Sequence, residues 1–322
     1  MKNSNCCSEQ PKRRTTCGGQ ALIEGIMMQG PERIATVVKK RDGSHVVQEQ
    51  EYVPMSKKHK ICGIPFLRGI FVFGGSLKNG VKQIMFSADA AEVEEGEPSK
   101  FDKWVERKFG TEKAEKFLMG VALVLGIVLP IGLFILLPTL LASLIPLDGG
   151  LWWVRSLAEG VLRLAIFIGY LYLTSLMKDM RRTYGYHGAE HKTIRCYEAK
   201  LPLTVENVRP MTRLHPRCGT SFLFVVMIIS ILVFSAFTSL ITIRYRLLKV
   251  LFKLLLLPIV VAISYEINRF VGRHDNWFTR AISFPGMWLQ NFTTNEPDDS
   301  MIEVAIRALE LVIPETEGAD EW

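Results

Sequence analysis

The sequence predicts an α-helical polytopic membrane protein with about four transmembrane helices, a small N-terminal β-hairpin unit and cytoplasmic interfacial helices. Two observations lead to this fold class. Apolar residues are concentrated between Phe117 and Tyr265, whereas the flanking segments have the mixed composition of soluble protein. Basic residues, which give the chain a formal net charge of +7, cluster beside the apolar stretches, as is typical of segments that face an anionic cytoplasmic leaflet.

Four stretches of the chain are apolar enough to cross a bilayer, for which about 20 residues are needed. The first contains no charged residue, and Pro130 and Pro138 predict a kink or a break within it. Trp152 and Trp153 precede the second and are typical of an interfacial aromatic belt. We predict spans at about 117–146, 157–177, 222–243 and 247–265.

The positions of lysine and arginine near the span ends predict the orientation of the chain. With the N-terminus in the cytoplasm, 18 basic residues near the span ends lie inside and four lie outside. We therefore predict a multi-pass protein of the inner membrane with both termini cytoplasmic. Lys253, within the fourth span, is expected to extend its amine outward to the interface.

The lipid bilayer is the partner that the sequence predicts. Nucleic acid is not expected as a partner, because no stripe of basic residues with interleaved aromatic residues occurs in the sequence. Inside the second span, Glu159 and Arg163 are four residues apart on one helix face. Such a pair either neutralises itself near the interface or marks a functional site within the membrane.

The spans and the changes in composition divide the chain into segments. A disordered tail, 1–16, precedes a cytoplasmic unit that contains the β structure, an interfacial helix and an acidic linker. The C-terminal segment begins with an aromatic stretch and ends with an amphipathic helix that is expected to dock on the cytoplasmic part of the protein. The predicted boundaries are 1–16 for the tail, 17–98 for the N-terminal unit, 99–265 for the membrane domain with a His/Cys loop at 178–220, 266–313 for the C-terminal segment and 314–322 for a second tail.

The N-terminal unit is predicted to contain one β-hairpin. The strands Ile34–Val38 and Val46–Tyr52 flank Arg41-Asp-Gly-Ser44, which is a turn signal. The glycine-rich stretch Gly18–Pro31 lacks the lysine of a phosphate-binding loop, and its glycines are expected to permit turns or close backbone contacts. The apolar segment at 64–85 predicts either a helix in the membrane interface or a helix packed on the hairpin.

The predicted chemistry lies between the second and third spans. His187, Glu190 and His191 form the pattern His-x-x-Glu-His, which places the two imidazoles on one helix face with a carboxylate beside them. Two such imidazoles can share a zinc ion, and the carboxylate can act as a general base. We predict Glu190 as a catalytic residue, although Gly185 and Gly188 weaken the helix on which this geometry depends.

The predicted topology brings further ligands to the same membrane face. His215 and Cys218 directly precede the third span, and Cys196, Glu266 and His274 also approach this face. The predicted metal ligands, for a divalent ion that is expected to be zinc, are His187, His191, His215 and Cys218. Two alternatives remain: the histidines serve only as hydrogen-bonding groups, or Cys218 is a nucleophile activated by His215 or His191.

Five blocks of the sequence resemble one family, the YqhQ-like family of bacterial membrane proteins. These blocks are GGQALIEGIMMQGP at 18–31, IPFLRGI at 64–70, YHGAEHKTIRCYE at 186–198, HPRCGTSF at 215–222 and PGMWLQNFTTNEPDD at 285–299. The resemblance extends from about Cys17 to Val312. It implies a bacterial inner-membrane protein and a metal-dependent enzyme of unknown activity. The positions carried over from the matching blocks are His187, Glu190, His191, His215 and Cys218.

Two classes of function are consistent with these features. The first is an integral inner-membrane protein with a divalent-metal site at the cytoplasmic face, acting as a metal-dependent hydrolase. The alternative is a non-enzymatic scaffold or assembly factor, in which the His/Cys cluster only fixes the 178–220 loop. Transport is poorly supported, because the spans contain little polar lining apart from Glu159 and Arg163.

Overall fold

The structure is a computed structural model, and it describes the residues 14–91, 105, 107–108, 110–145, 152–240, 246–274, 276–316 and 318–321. Most of the predicted tail 1–16 and nearly all of the acidic linker lie outside these residues. The chain divides into two compact units by its internal contacts. The first unit comprises Met1–Glu92, Tyr170–Ser230 and Pro258–Trp322, and the second comprises Val93–Gly169 and Ile231–Leu257.

The first unit contains an antiparallel sheet with the strand order β1-β2-β3-β4. The strands are β1 (Gly18–Leu22), β2 (Gly25–Gln29), β3 (Arg33–Lys39) and β4 (His45–Glu51). The predicted hairpin of β3 and β4 is confirmed, with Lys39 paired to His45 at its turn. The predicted β unit is larger than this hairpin, because the glycine-rich stretch adds β1 and β2 to the sheet. Its strand β2 is buried on both faces, so it lacks the polar alternation that identifies a half-exposed strand.

Helices account for most of the described chain. In chain order they are α1 (Met55–Lys58), α2 (Leu67–Ala90), α3 (Thr111–Ile131), α4 (Leu137–Ser143), α5 (Trp152–Leu176), α6 (Lys178–Glu198), α7 (Val205–Val208), α8 (Gly219–Leu240), α9 (Arg246–Arg273), α10 (Trp277–Thr293) and α11 (Asp299–Glu310), with a 3-10 turn at Lys60–Gly63. A π-helical segment, Gly132–Leu136, connects α3 to α4. This break lies between Pro130 and Pro138, where the sequence predicts one.

Four helical stretches of the described chain are long and apolar enough to cross a membrane, as predicted. They are Phe117–Ser143, Val154–Leu176, Gly219–Phe237 and Leu248–Arg273. The protein is therefore a multi-pass membrane protein. The last span is longer than predicted, because α9 continues for two turns beyond Tyr265 into a polar end.

Helix α2 packs on the hairpin, which is one of the two alternatives predicted for the 64–85 segment. Its Gln83 side chain is fully buried and accepts a hydrogen bond from the Thr36 hydroxyl of β3 at 2.9 Å. Several large apolar side chains of the helix remain exposed, namely Phe71, Val72, Phe73, Leu77, Ile84 and Met85. An apolar face of this kind is suited to the membrane interface.

Helix α11 closes the core of the first unit, as its apolar stripe predicts. The Asp298 carboxylate accepts a hydrogen bond from the Met301 amide at 2.9 Å and caps the first turn. The stripe is buried against α6, β2 and β3, and it consists of Met301, Val304, Ala305, Ala308 and Val312. This packing fixes α6, the helix that contains the candidate site.

The two ends of the described chain meet at this core. Thr15 and Asp320 are both buried, and the Thr15 hydroxyl donates a hydrogen bond to the Asp320 carboxylate. The Thr15 amide also donates to Glu198 of α6 at 3.0 Å. The structure thus places Thr15 and Asp320, which the sequence analysis assigned to the terminal tails, inside the folded unit.

The second unit contains a buried charge cluster. Arg163 and Glu159 form the predicted pair at 2.7 Å, and Lys253 bonds the same carboxylate at 2.5 Å. Thr139 accepts from Lys253 at 2.9 Å, and the Arg163 Nε donates to the Phe134 carbonyl of the π-helical segment. The expectation that Lys253 extends outward is wrong, since its side chain turns inward to a carboxylate and is only 2% exposed.

Candidate functional site

Helix α6 places the three residues of the His-x-x-Glu-His pattern side by side. The ring centroids of His187 and His191 are 4.4 Å apart, and Oε2 of Glu190 lies 3.9 Å and 3.6 Å from their Nε2 atoms. The helix is continuous through Gly185 and Gly188, so tertiary packing overrides the weak helix propensity of glycine here. The predicted shared face is therefore present.

Backbone carbonyls orient both imidazoles in the same way. Nδ1 of His187 lies 2.8 Å from the Thr293 carbonyl oxygen, and Nδ1 of His191 lies 2.5 Å from that of Arg213. Because a carbonyl only accepts hydrogen bonds, each Nδ1 must carry the proton. In the neutral rings both Nε2 atoms then have a free lone pair, which is the tautomer that binds a metal ion.

Cys218 completes a group of three residues that could hold a metal ion. The ligand atoms of His187, His191 and Cys218 all lie within 4.8 Å of one another, and Sγ is 3.2 Å from Nε2 of His187. Atoms around one zinc ion lie roughly 3–4 Å apart for bond lengths of about 2.0–2.3 Å. The three donors therefore fit a divalent ion of this size with small adjustments.

His191 shows why this group suits a metal ion. Its side chain is only 1% exposed, and its Nε2 atom has no hydrogen-bond partner among the described residues. Burial lowers the pKa of His191 and outweighs the opposing effect of the Cys218 sulfur, which keeps the ring neutral. A buried polar atom without a partner is destabilising, and a metal ion in this position would satisfy it.

Glu190 is fixed by the N-terminal sheet. The Gly19 amide of β1 donates to Oε1 at 3.0 Å, while Oε2 faces the two histidines. Burial raises the pKa of Glu190, although His187 and the Gly19 amide oppose the effect. A Cβ atom at position 19 would lie 2.8 Å from the Glu190 side chain, so a glycine is needed there. A raised pKa suits a group that exchanges protons near neutral pH.

His215, the fourth predicted ligand, lies beside the group of three. Its ring centroid is 5.6 Å from that of His191, and its Nε2 is 3.5 Å from Oε2 of Glu198. Burial lowers the pKa of His215 to about 3. Burial alone would raise the pKa of Glu198, but His215 and the bonded Arg217 guanidinium lower it to about 2. His215 is therefore a neutral ring next to an ionised Glu198–Arg217 pair.

The other potential ligands have different partners. The Cys196 thiol donates to the Pro202 carbonyl at 3.6 Å, and burial raises its pKa to about 11. Glu266 pairs with Arg68 of α2, where Nε donates to Oε1 at 2.7 Å. His274 stacks on Phe270 with ring centroids 4.3 Å apart. These three residues are not part of the His187, His191 and Cys218 group.

Several residues that position the site were not predicted, because no local motif identifies them. The Gln290 side chain accepts from the His215 amide and donates to the His215 carbonyl, both at 2.7 Å, and so fixes the loop before Cys218. Thr293 and Arg213 contribute only backbone carbonyls. Gln290 and Thr293 lie in the fifth block of the family resemblance, which is the one signal that could have indicated them.

Gly188 sets the distance between α6 and the segment that orients His187. A Cβ atom there would lie 2.0 Å from the Asn295 carbonyl oxygen, so Gly188→Ala must push α6 away from the segment after α10. At Gly185 a Cβ would meet only the flexible end of Met301, at 2.8 Å. We expect Gly188→Ala to lower bound divalent metal at least tenfold, as second-shell losses do, with Gly185→Ala near wild type.

Metal analysis of both purified variants checks this prediction. The folded fraction of each is measured by its elution as a single species, so that loss of metal is separated from loss of fold. Equal metal content in the two alanine variants would contradict the proposed link between α6 packing and the site.

Comparisons with known proteins identify a family whose description states no activity. The model of a family described as "Protein of unknown function (DUF1385)" matches residues 64–315. The "Uncharacterized protein YqhQ" of Bacillus subtilis (strain 168) is 33% identical over 297 residues, which cover 90% of each chain. No solved structure matches the chain.

Proposed function

The chain belongs to the DUF1385 family, and because its descriptions state no activity, we propose a function from the site itself. The protein is a metal-dependent hydrolase of the inner membrane, with a divalent ion at His187, His191 and Cys218. The ion is zinc, since imidazole and thiolate ligands favour it. Glu190 is the general base. Both chain termini and the site lie on the cytoplasmic side of the membrane.

One observation supports the metal above the others. Nε2 of His191 is buried without a hydrogen-bond partner among the described residues, while Nδ1 of the same ring is bonded to a carbonyl. Nε2 of His215 likewise has no hydrogen-bond partner among the described residues, but that ring lies beside Glu198. His191 differs because its ligand atom lies within 4.8 Å of those of a second imidazole and a thiol, so that one ion can reach all three.

The arrangement assigns distinct roles to the ion and to Glu190. His187, His191 and Cys218 would hold the ion, and a zinc ion would supply Lewis-acid chemistry and lower the pKa of water beside it. Glu190 keeps Oε1 on the Gly19 amide and has Oε2 available to take a proton from water in the cavity. The same carboxyl, once protonated, could return that proton to a leaving group.

Metal analysis tests the proposed ligands. We expect about one zinc ion per wild-type chain after purification without chelators, and less than a tenth of that in His191→Ala, which removes one of three ligands. Cys196→Ala is the matched control, because Cys196 is buried in the same helix but bonds the Pro202 carbonyl. Wild-type protein that binds no divalent metal, even after incubation with zinc, would refute the proposal.

A second candidate function rests on the contact between Cys218 and His187. Sγ is 3.2 Å from Nε2, the Thr293 carbonyl orients the ring, and the Thr220 amide at the start of α8 donates to the sulfur at 3.4 Å. Nucleophile, base and orienting group are the elements of a cysteine hydrolase. Metal-free protein that is inactivated by iodoacetamide at Cys218 would favour this candidate. A cysteine hydrolase of this kind assigns no role to Nε2 of His191.

The proposed orientation has a direct test. In a chain with Cys6 and Cys7 changed to serine, Glu206→Cys introduces a thiol at an exposed position close to the site. We expect an impermeant maleimide to modify it only after the membrane is opened, because the positive residues of this loop favour the cytoplasm. Modification in intact cells would reverse the topology.

A further inference from the structure

A cavity of about 680 Å³ adjoins the candidate metal site. Its lining belongs to the first unit and has a polar part that includes His187, Glu190, His191 and Cys218. Volumes of this size accommodate small organic molecules rather than water alone. The cavity therefore offers space for a substrate directly beside the proposed general base.

The lining also has an apolar part, which is built at the ends of two membrane spans. Phe222 and Leu223 belong to the first turn of α8, Tyr265 lies towards the end of α9, and Phe73 comes from α2. The rings of Phe73 and Phe222 are 6.1 Å apart. Because consecutive spans run in opposite directions, the start of α8 and the end of α9 lie at one membrane face.

This apolar part of the lining is accessible from outside the protein. Phe73 is 39% exposed and Leu223 is 44% exposed, although both line the cavity. Leu223 belongs to a membrane span and Phe73 to the exposed apolar face of α2, so both side chains are suited to contact hydrocarbon. The lining thus combines the polar groups of the proposed site with apolar groups suited to an acyl chain.

The polar part of the lining offers no available basic side chain to bind an anionic head group. Arg217 is the one lysine or arginine in the described lining, and it is bonded to Glu198 and to the Thr15 carbonyl. Phosphate groups are usually bound by arginine or lysine that is free to pair with them. A Cys218 thiolate and the Glu190 carboxylate would together balance the charge of a divalent ion here, which leaves no net positive charge for an anionic group.

From this geometry we propose that the substrate is an uncharged amphiphile of the membrane, an ester or amide with a long hydrocarbon chain. This inference rests on the proposed function. The acyl group lies at His187, His191 and Cys218, and the chain passes Phe73, Phe222 and Leu223 towards the bilayer. In the reaction, water adds across the acyl bond: its oxygen joins the acyl carbon, the C–O or C–N bond breaks, and the leaving group takes a proton.

A series of n-alkyl hydroxamates tests the substrate class without a known reaction. The hydroxamate resembles an ester or amide carbonyl and chelates metal ions, and the alkyl chain is extended from acetyl to dodecanoyl. The affinity of each hydroxamate for the zinc-loaded full-length protein in nanodiscs is measured. Binding to nanodiscs with the His191→Ala variant measures partition into lipid, and this contribution is subtracted. We expect the affinity to rise about two- to fourfold per methylene, as apolar burial predicts.

Two variants test whether the alkyl chain of the hydroxamate lies in the cavity. Phe73→Gln should flatten the dependence on chain length, whereas Phe71→Gln, on the same helix and similarly exposed but outside the cavity, should leave it unchanged. Zinc-loaded protein that binds acetohydroxamate and the dodecanoyl compound equally would overturn this inference alone. A steep dependence that survives Phe73→Gln would also overturn it. Protein that binds no metal would refute the proposed function, and this inference with it.

Discussion

We expect Glu190→Gln to remove at least 99% of the proposed hydrolytic activity while the protein keeps its ability to bind a metal ion. The amide oxygen of glutamine can still accept the Gly19 hydrogen bond, so the site keeps its packing. What is lost is the acceptor of a proton at Oε2, and general bases contribute typically about 10²–10⁴-fold to the rate. Because the reaction is unidentified, the measurement is complementation of a deletion strain at matched expression, together with metal analysis of the purified variant.

Two controls make this result interpretable. His191→Ala should lose both metal and complementation, whereas Glu206→Gln, an exposed acid near the same loop, should retain both. If the protein is instead a scaffold, Glu190 only orients its neighbours, and Glu190→Gln should complement fully. Full complementation by Glu190→Gln would therefore remove the case for hydrolysis while leaving the metal site intact.

The buried charge cluster gives the largest expected change in stability. Glu159→Gln removes the carboxylate that Arg163 and Lys253 share inside the second unit. Leaving a buried charge without its partner typically costs about 3–5 kcal/mol. We expect this variant to unfold at a much lower temperature in detergent, or to accumulate poorly in the membrane.

Lys253→Met is the matched substitution at the same cluster. It removes one cation but leaves Glu159 paired with Arg163 at 2.7 Å, and methionine occupies a similar volume. Replacing a buried ion by a well-packed apolar group is often neutral. The midpoint of thermal unfolding should therefore fall far less than for Glu159→Gln, and equal losses in the two variants would contradict this account of the cluster.

The sequence predicted the elements whose signals are local. Uninterrupted apolar stretches identified the four spans, and the turn at Arg41–Ser44 identified the hairpin of β3 and β4. The i, i+4 spacing of His187 and His191 placed both rings on one face because helical geometry alone determines it. Cys218 joined them because the membrane topology brings the end of the His/Cys loop back to α6.

The features that escaped prediction depend on contacts between distant segments. Strands β1 and β2 lacked a strand pattern because both faces of β2 are covered. Lys253 was expected at the interface, but no local rule reveals a carboxylate 94 residues away. The groups that orient the two histidines are the backbone carbonyls of Thr293 and Arg213. Every residue has a backbone carbonyl, so the residue types at these positions could not indicate this role.

The hydrogen bonds around α6 determine when the site can exist during protein synthesis. Glu190 depends on Gly19, 171 residues earlier, and His187 depends on Thr293, 106 residues later. While a ribosome is still translating the spans after α6, the carbonyl that fixes the tautomer of His187 has not yet been made. The nascent chain therefore enters the bilayer before His187 has its orienting carbonyl. We expect a metal ion to be held stably only after α10 has left the ribosome and folded back onto α6.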